Sequence, residues 1–289
     1  MKNKLFIILS LLCLVAVNTN AQNKIIGNFS SIKGQTIRLM GYRGAEVYSV
    51  DSSKVDSQGN FELRYSDTSL GMGYLLTSEN TPYMAVLEKG KVHLSGQTPA
   101  DASSMVVNSG EQNKLFVQYS VEHSKRDQAL SAWVYLKNLY ELDTLFKNEY
   151  ATKFTITKEI EILNKADNDY LKILPLNSLM SWYLPVRKLI SDLQAVVTYS
   201  PQEIPNTIKA FRAVNYAHPQ LYTSGLLGDL IESQFWLIQN SGLDKDTMFK
   251  EMNNSVDFIL AGVSKDEKLY NEFTKYLFQY FEKNSLFDA

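Results

Sequence analysis

Glycine divides this chain. Of 14 glycines, nine fall between residues 22 and 109, and the 180 residues from Gly110 onward hold only five. Because glycine supplies the positive-φ positions of tight turns, frequent chain reversal is confined to the first part. Between the reversals lie short runs of β-formers at residues 24–27, 36–40, 61–65, 83–87 and 92–94, each about strand length. Residues 56–59, ending in Gly59, and residues 88–91, with Gly90, carry turn chemistry between such runs and predict two hairpins. Gly71-Met72-Gly73 reads as a bend. Seven or so short strands in under 90 residues predict a small antiparallel sandwich or barrel.

From Gly110 the apolar period becomes 3.6, through residues 115–121, 130–146, 160–174 and 226–238. Asp246 is the expected cap of a further helix, and Ser264 opens a capping-box pattern before a last one carrying Leu269, Phe273, Leu277, Tyr280 and Phe281. Pro185, Pro201, Pro205 and Pro219 mark expected helix starts or breaks. The fold class is therefore α+β: a small β sandwich or barrel at residues 22–104, then an all-α domain at residues 105–289. The polar, small residues 97–104 form the expected linker.

Residues 1–21 read as an export signal. Lys2 and Lys4 precede an apolar run at residues 5–17, and cleavage near Ala21 satisfies the small-residue rule. That run is too short to span a bilayer. A lipid-anchored Cys13 would need small residues before it, where Leu11 and Leu12 stand. Removal of the signal would leave no cysteine, because Cys13 is the single one, and would place the chain in the periplasm or outside the cell. The remaining 27 Lys and Arg against 31 Asp and Glu argue against nucleic acid as a partner. No later segment is apolar enough to be read as a transmembrane span.

No catalytic constellation, metal site or cofactor motif is recognisable. His93, His123 and His218 lack zinc-ligand spacing, and core or surface roles account for them. Phosphate loops and nucleophile elbows are absent. Glu159 with Glu161, and Asp244 with Asp246, are i,i+2 pairs that splay across different helix faces. Trp133, Trp182 and Trp236 fall in helical apolar stripes, which assigns them to core packing. Tyr42 and Tyr48, beside Gly41 and Gly44, are the candidate ligand-stacking residues of the β part.

Residues 51–61 match the pattern D-S-x-x-V-x-x-x-G-x-F, from Asp51 through Val55 and Gly59 to Phe61. With residues 86–96, residues 218–227 and the terminal Tyr280-Phe281-Glu282-Lys283, the chain resembles exported proteins of Bacteroidetes-type bacteria. These carry an N-terminal β domain of unknown function and a helical middle, normally followed by a C-terminal thioredoxin-like domain of the thiol–disulfide interchange or peroxiredoxin-like type. In those relatives such a domain would follow the position of Ala289, so the resemblance implies either a stand-alone version of their N-terminal part or a truncated chain; the Leu286-Phe287 pair beyond the last helix, expected to remain exposed, favours truncation. Without a CxxC motif no redox residue transfers.

The sequence thus leads to a non-enzymatic periplasmic binding or interaction module with a protein partner, for which thioredoxin-like is one option. Its candidate interaction residues are Leu286, Phe287, Tyr42 and Tyr48. Two alternatives stand beside it: an accessory of a thiol–disulfide oxidoreductase family acting with a redox domain in trans, and a carbohydrate- or peptide-binding protein. No cofactor is called for.

Overall fold

In the computed structural model, which describes residues 23–146 and 148–286, the glycine-rich part forms two four-stranded sheets. The strands are β1 (Asn23–Phe29), β2 (Thr36–Arg43), β3 (Glu46–Lys54), β4 (Asn60–Tyr65), β5 (Gly71–Leu76), β6 (Tyr83–Leu87), β7 (Lys91–Gly96) and β8 (Val106–Ser109). One sheet has the order β4-β1-β7-β8 and the other β3-β2-β5-β6. Every pairing is antiparallel except β1 with β7, which is parallel. Alternation drives this arrangement: Ile25, Phe29, Leu63, Val92 and Leu94 of one sheet meet Ile37, Leu39, Leu75, Ala85 and Leu87 of the other in a fully buried core.

Both expected reversals form, yet neither is a hairpin. Gly59 has φ +93° and donates its N–H to the Asp56 carbonyl, while the Asp56 carboxylate accepts from the N–H groups of Gln58 and Asn60. The chain leaves this turn for the opposite sheet, because Phe61 pairs with Gly27, lies over its Cα and packs on Phe29 with ring centroids 4.8 Å apart. Gly90 likewise hands the chain from β6 to β7 across the sandwich. Turn chemistry specified the reversal, and burial of Phe61 and Val92 chose the sheet. The tightest hairpin joins β2 to β3 through Gly44 and Ala45, with Gly44 at φ +61°.

Gly71-Met72-Gly73 is not a bend but the start of β5. Its glycines admit close neighbours: a Cβ on Gly71 would lie 2.4 Å from the Thr223 carbonyl oxygen, and one on Gly73 would lie 2.5 Å from that of Met40. Residues 97–104 return the chain to β8, with a 3₁₀ turn at Ala102–Ser104, so the change of period falls at Gly110.

The helices are α1 (Glu111–Leu142), α2 (Tyr150–Lys172), α3 (Leu179–Ser191), α4 (Leu193–Tyr199), α5 (Ile204–Arg212), α6 (Leu227–Gln239), α7 (Lys245–Val263) and α8 (Glu267–Lys283). Asp244, rather than Asp246, caps α7 by accepting from the Thr247 N–H. Asp266, rather than Ser264, caps α8 by accepting from the N–H groups of Lys268 and Leu269. Pro185 does not break a helix; it lies within α3, which buried Met180, Tyr183 and Leu184 anchor in the helical core. Pro201 and Pro205 do sit at helix starts.

The helices cover the outer face of the second sheet, whose Met72 and Val86 belong to the helical core, with Tyr42 and Met84 packed against it. The result is three layers, sheet on sheet on helices. A 3₁₀ turn at Leu221–Thr223 docks on the sheet: the Gly44 N–H donates to the Tyr222 carbonyl at 2.7 Å, and the Tyr42 ring fills the space beside Gly225, which has φ +75°.

Candidate binding groove

The two edge strands β3 and β4 face each other across the open side of the sandwich. Near the turn at residues 55–59 they are tied, the Arg64 N–H donating to Asp51 Oδ2 at 2.6 Å. Away from it they diverge, and β3 carries a bulge at Val50, where its register with β2 shifts between Leu39 and Met40. A shallow groove of about 1130 Å³ occupies this gap, lined by Tyr48, Val50 and Asp51 of β3, Arg64 and Tyr65 of β4, residues 66–69, Lys89, Gly90 and Asn23.

Buried Asn23 organises the floor. Its Nδ2 donates to Asp67 Oδ1 at 2.7 Å and its Oδ1 accepts from the Gly90 N–H at 2.8 Å, locking the 3₁₀ turn Asp67–Ser69 to the 88–91 turn. The Tyr65 hydroxyl donates to the Glu88 carbonyl, and burial raises its pKa. Arg64 pairs through Nε with Glu62 at 2.7 Å, yet its side chain stays more than half exposed, leaving donors turned to solvent. The carboxylates already have partners: Asp51 holds the Arg64 N–H and Asp67 holds Asn23. The lining therefore sets exposed hydrogen-bond donors beside carboxylates that the protein itself engages.

Tyr48 and Tyr42 belong to opposite faces of the second sheet, because Tyr48 pairs with Gly41, the neighbour of Tyr42. Tyr48 lines the groove, packs beside Gly41, donates its hydroxyl to Ser69 Oγ at 3.0 Å and is covered by the Arg43 guanidinium 4.7 Å from its ring centroid. Its ring is therefore engaged by the protein itself. Tyr42 faces the helices, 5.9 Å from Tyr74 and against Gly225, and burial pushes its phenol up to about 12. Leu286 is half-buried against the helical core. Phe287 lies outside the described residues, as do residues 1–22 with Cys13 and Ala21.

A charged cluster escaped sequence reasoning. On α2, Asp167 is 4% exposed and accepts from Arg126 Nε at 3.0 Å; His123 Nδ1 lies 3.0 Å away, with Lys188 Nζ and the Tyr119 hydroxyl each at 3.4 Å. Burial would raise the carboxyl, but His123, Lys188 and Arg126 outweigh it and hold Asp167 at about 2. Lys188 also pairs with Asp192 and Arg126 with Glu122, so the charges neutralise one another. The cluster is a tie between α1, α2 and α3. Glu122, His123 and Arg126 show helical spacing, but Asp167 lies more than forty residues away and no local signal joins them.

Among the described residues no group of three or more His, Cys, Asp or Glu could hold a metal ion, and no helix is long and apolar enough to cross a membrane. The chain matches no family model, no curated protein and no solved structure.

Proposed function

We propose that this chain is an exported, non-enzymatic binding module whose groove between β3 and β4 takes an extended peptide segment of a partner protein. The observation that carries the reading is the pair of edge strands lining one groove, since a strand edge offers backbone N–H and C=O groups to an extended chain. Arg64 and Lys89 add cationic donors at the same place. Tyr48, already covered by Arg43, supports a peptide over a stacked sugar. Export rests on the charged and apolar leader at residues 2–17.

The test is selection from a displayed peptide library, followed by hydrogen exchange on the complex. Selected peptides should slow exchange at residues 46–51 and 62–66, and Arg64→Glu combined with Lys89→Glu should abolish binding while leaving unfolding unchanged. Binding that survives both substitutions removes the reading. Protection of the same amides by oligosaccharides, with no peptide selected, replaces it by the carbohydrate alternative.

A further inference from the structure

We infer that the outer face of the first sheet docks an acidic segment of a partner protein, held by a row of three cations that runs straight across the strands. The register sets the row: Lys24 of β1 lies directly opposite Arg64 of β4 on one side and Lys91 of β7 on the other. All three side chains point away from the core, because Ile25, Leu63 and Val92 beside them are buried inside the sandwich. At about 4.8 Å between strands the row is about 10 Å long. Like charges directly opposite each other on neighbouring strands destabilise a sheet, so the row works against the fold. Protection of an exposed strand edge accounts for Arg64 on β4, but not for Lys24 and Lys91, whose strands lie inside the order β4-β1-β7-β8.

Charge and surface chemistry identify the occupant. One carboxylate shares the face: Glu62 accepts from Lys24 at 3.0 Å and from Arg64 Nε at 2.7 Å. Lys91 is exposed and makes no ion pair among the described residues, and exposed Lys89 stands in the turn before it. The acidic groups off this face are turned elsewhere, Asp51 to the Arg64 N–H, Asp67 to Asn23 and Glu88 to the start of α1. The other outward positions of the three strands, Ile26, Asn28, Asn60, His93 and Ser95, include no Trp, Tyr or Phe on which a sugar could stack, and Ile26 alone offers nothing to insert into a bilayer. The excess of acidic over basic residues along the chain disfavours a nucleic acid. Carboxylates on an extended chain fit: side chains on one side of it recur about every 6.8 Å, within the reach of this row, and a guanidinium can hold a carboxylate through two parallel hydrogen bonds.

Fluorescence anisotropy of a labelled oligoglutamate peptide titrated with the full chain tests this. Binding that weakens as salt rises is expected. Lys24→Gln combined with Lys91→Gln should weaken it roughly fivefold or more, and Lys91→Gln alone, which breaks no ion pair, should weaken it measurably while leaving urea unfolding unchanged. Lys24→Arg with Lys91→Arg keeps the charge and should keep the binding. Lys165→Gln with Lys172→Gln, which removes the same charge from α2, should have no effect. A chain that does not bind oligoglutamate overturns the inference, as does binding indifferent to Lys24 and Lys91. Stronger binding to phosphatidylglycerol vesicles or to polygalacturonate through the same lysines overturns it as well, making a lipid or a polysaccharide the occupant. Lys24 and Lys91 do not line the groove between β3 and β4, so a chain that selects no strand-like peptide yet binds oligoglutamate through them loses the groove reading and keeps this one.

Discussion

Asn113, in the first turn of α1, completes the backbone hydrogen bonding of Val86 on the edge of β6: its Oδ1 accepts from the Val86 N–H and its Nδ2 donates to the Val86 carbonyl, both at 2.8 Å. One amide side chain thus acts as the missing neighbouring strand. The Glu88 carboxylate accepts from the backbone N–H groups of Gln112 and Asn113 and from Asn113 Nδ2, which caps the start of α1 and fixes the helical layer to the sheet.

Asn113→Ala leaves both Val86 groups buried and unpaired. Urea denaturation should show a loss of roughly 2–6 kcal/mol, at about 1–3 kcal/mol for each of the two orphaned groups. Asn108→Ala, which removes an exposed hydrogen bond to Ser95, should stay within about 0.5 kcal/mol of the parent. Equal effects would show that the amide clamp contributes nothing special.

Gly71 and Gly90 separate backbone strain from steric exclusion. Both have positive φ, +150° and +90°, but a Cβ on Gly90 meets nothing within 4 Å whereas one on Gly71 runs into the Thr223 backbone. Gly90→Ala should cost about 1 kcal/mol through strain alone. Gly71→Ala should cost roughly 3 kcal/mol, because the 3₁₀ turn at Leu221–Thr223 must lift from the sheet. Near-equal costs in thermal unfolding would place the docking contact elsewhere.

Gly59 combines φ +93° with a Cβ position 2.9 Å from the Phe29 carbonyl oxygen. Gly59→Val should destabilise by roughly 1–3 kcal/mol. A neutral result in chemical denaturation would contradict the stitching of this turn to β1.

The Asp167 carboxyl is held below its unfolded value of 3.8, at about 2. A depressed carboxylate contributes stability that is fully present above the unfolded pKa and is lost as pH falls through the folded one. The contribution, about 2 kcal/mol, should therefore disappear between about pH 4 and pH 2. Asp167→Asn should cost about 2–3 kcal/mol at neutral pH by leaving Arg126 and Lys188 without their shared counter-ion, and it should flatten the acid limb of the stability profile. An unchanged acid limb would show that other carboxylates govern acid unfolding.

The signature running from Asp51 to Phe61 is accounted for by folding. Asp51 ties β4, Val55 is buried, Gly59 takes positive φ and Phe61 covers Gly27. Its presence in the sequence therefore marks the corner of the sandwich and says nothing about a ligand. The groove beside that corner was legible only through Tyr48, since Asn23, the stretch from Arg64 to Asp67, and Lys89 come from three segments far apart in sequence and no spacing connects them.

The sequence by itself determined the change from period 2 to period 3.6 at Gly110, the positive-φ turns at Gly59 and Gly90 and the α+β class. Each of these depends on side-chain alternation or on the φ of one residue, which neighbours along the chain suffice to set. Tertiary structure decided which sheet each strand joins, that β5 begins at Gly71, that β1 and β7 run parallel, and that Asn113 closes the edge at Val86. Those outcomes depend on burying Phe61, Met72 and Val86 against residues tens of positions away. A turn can reverse the chain, but only the surface that remains to be covered selects the partner.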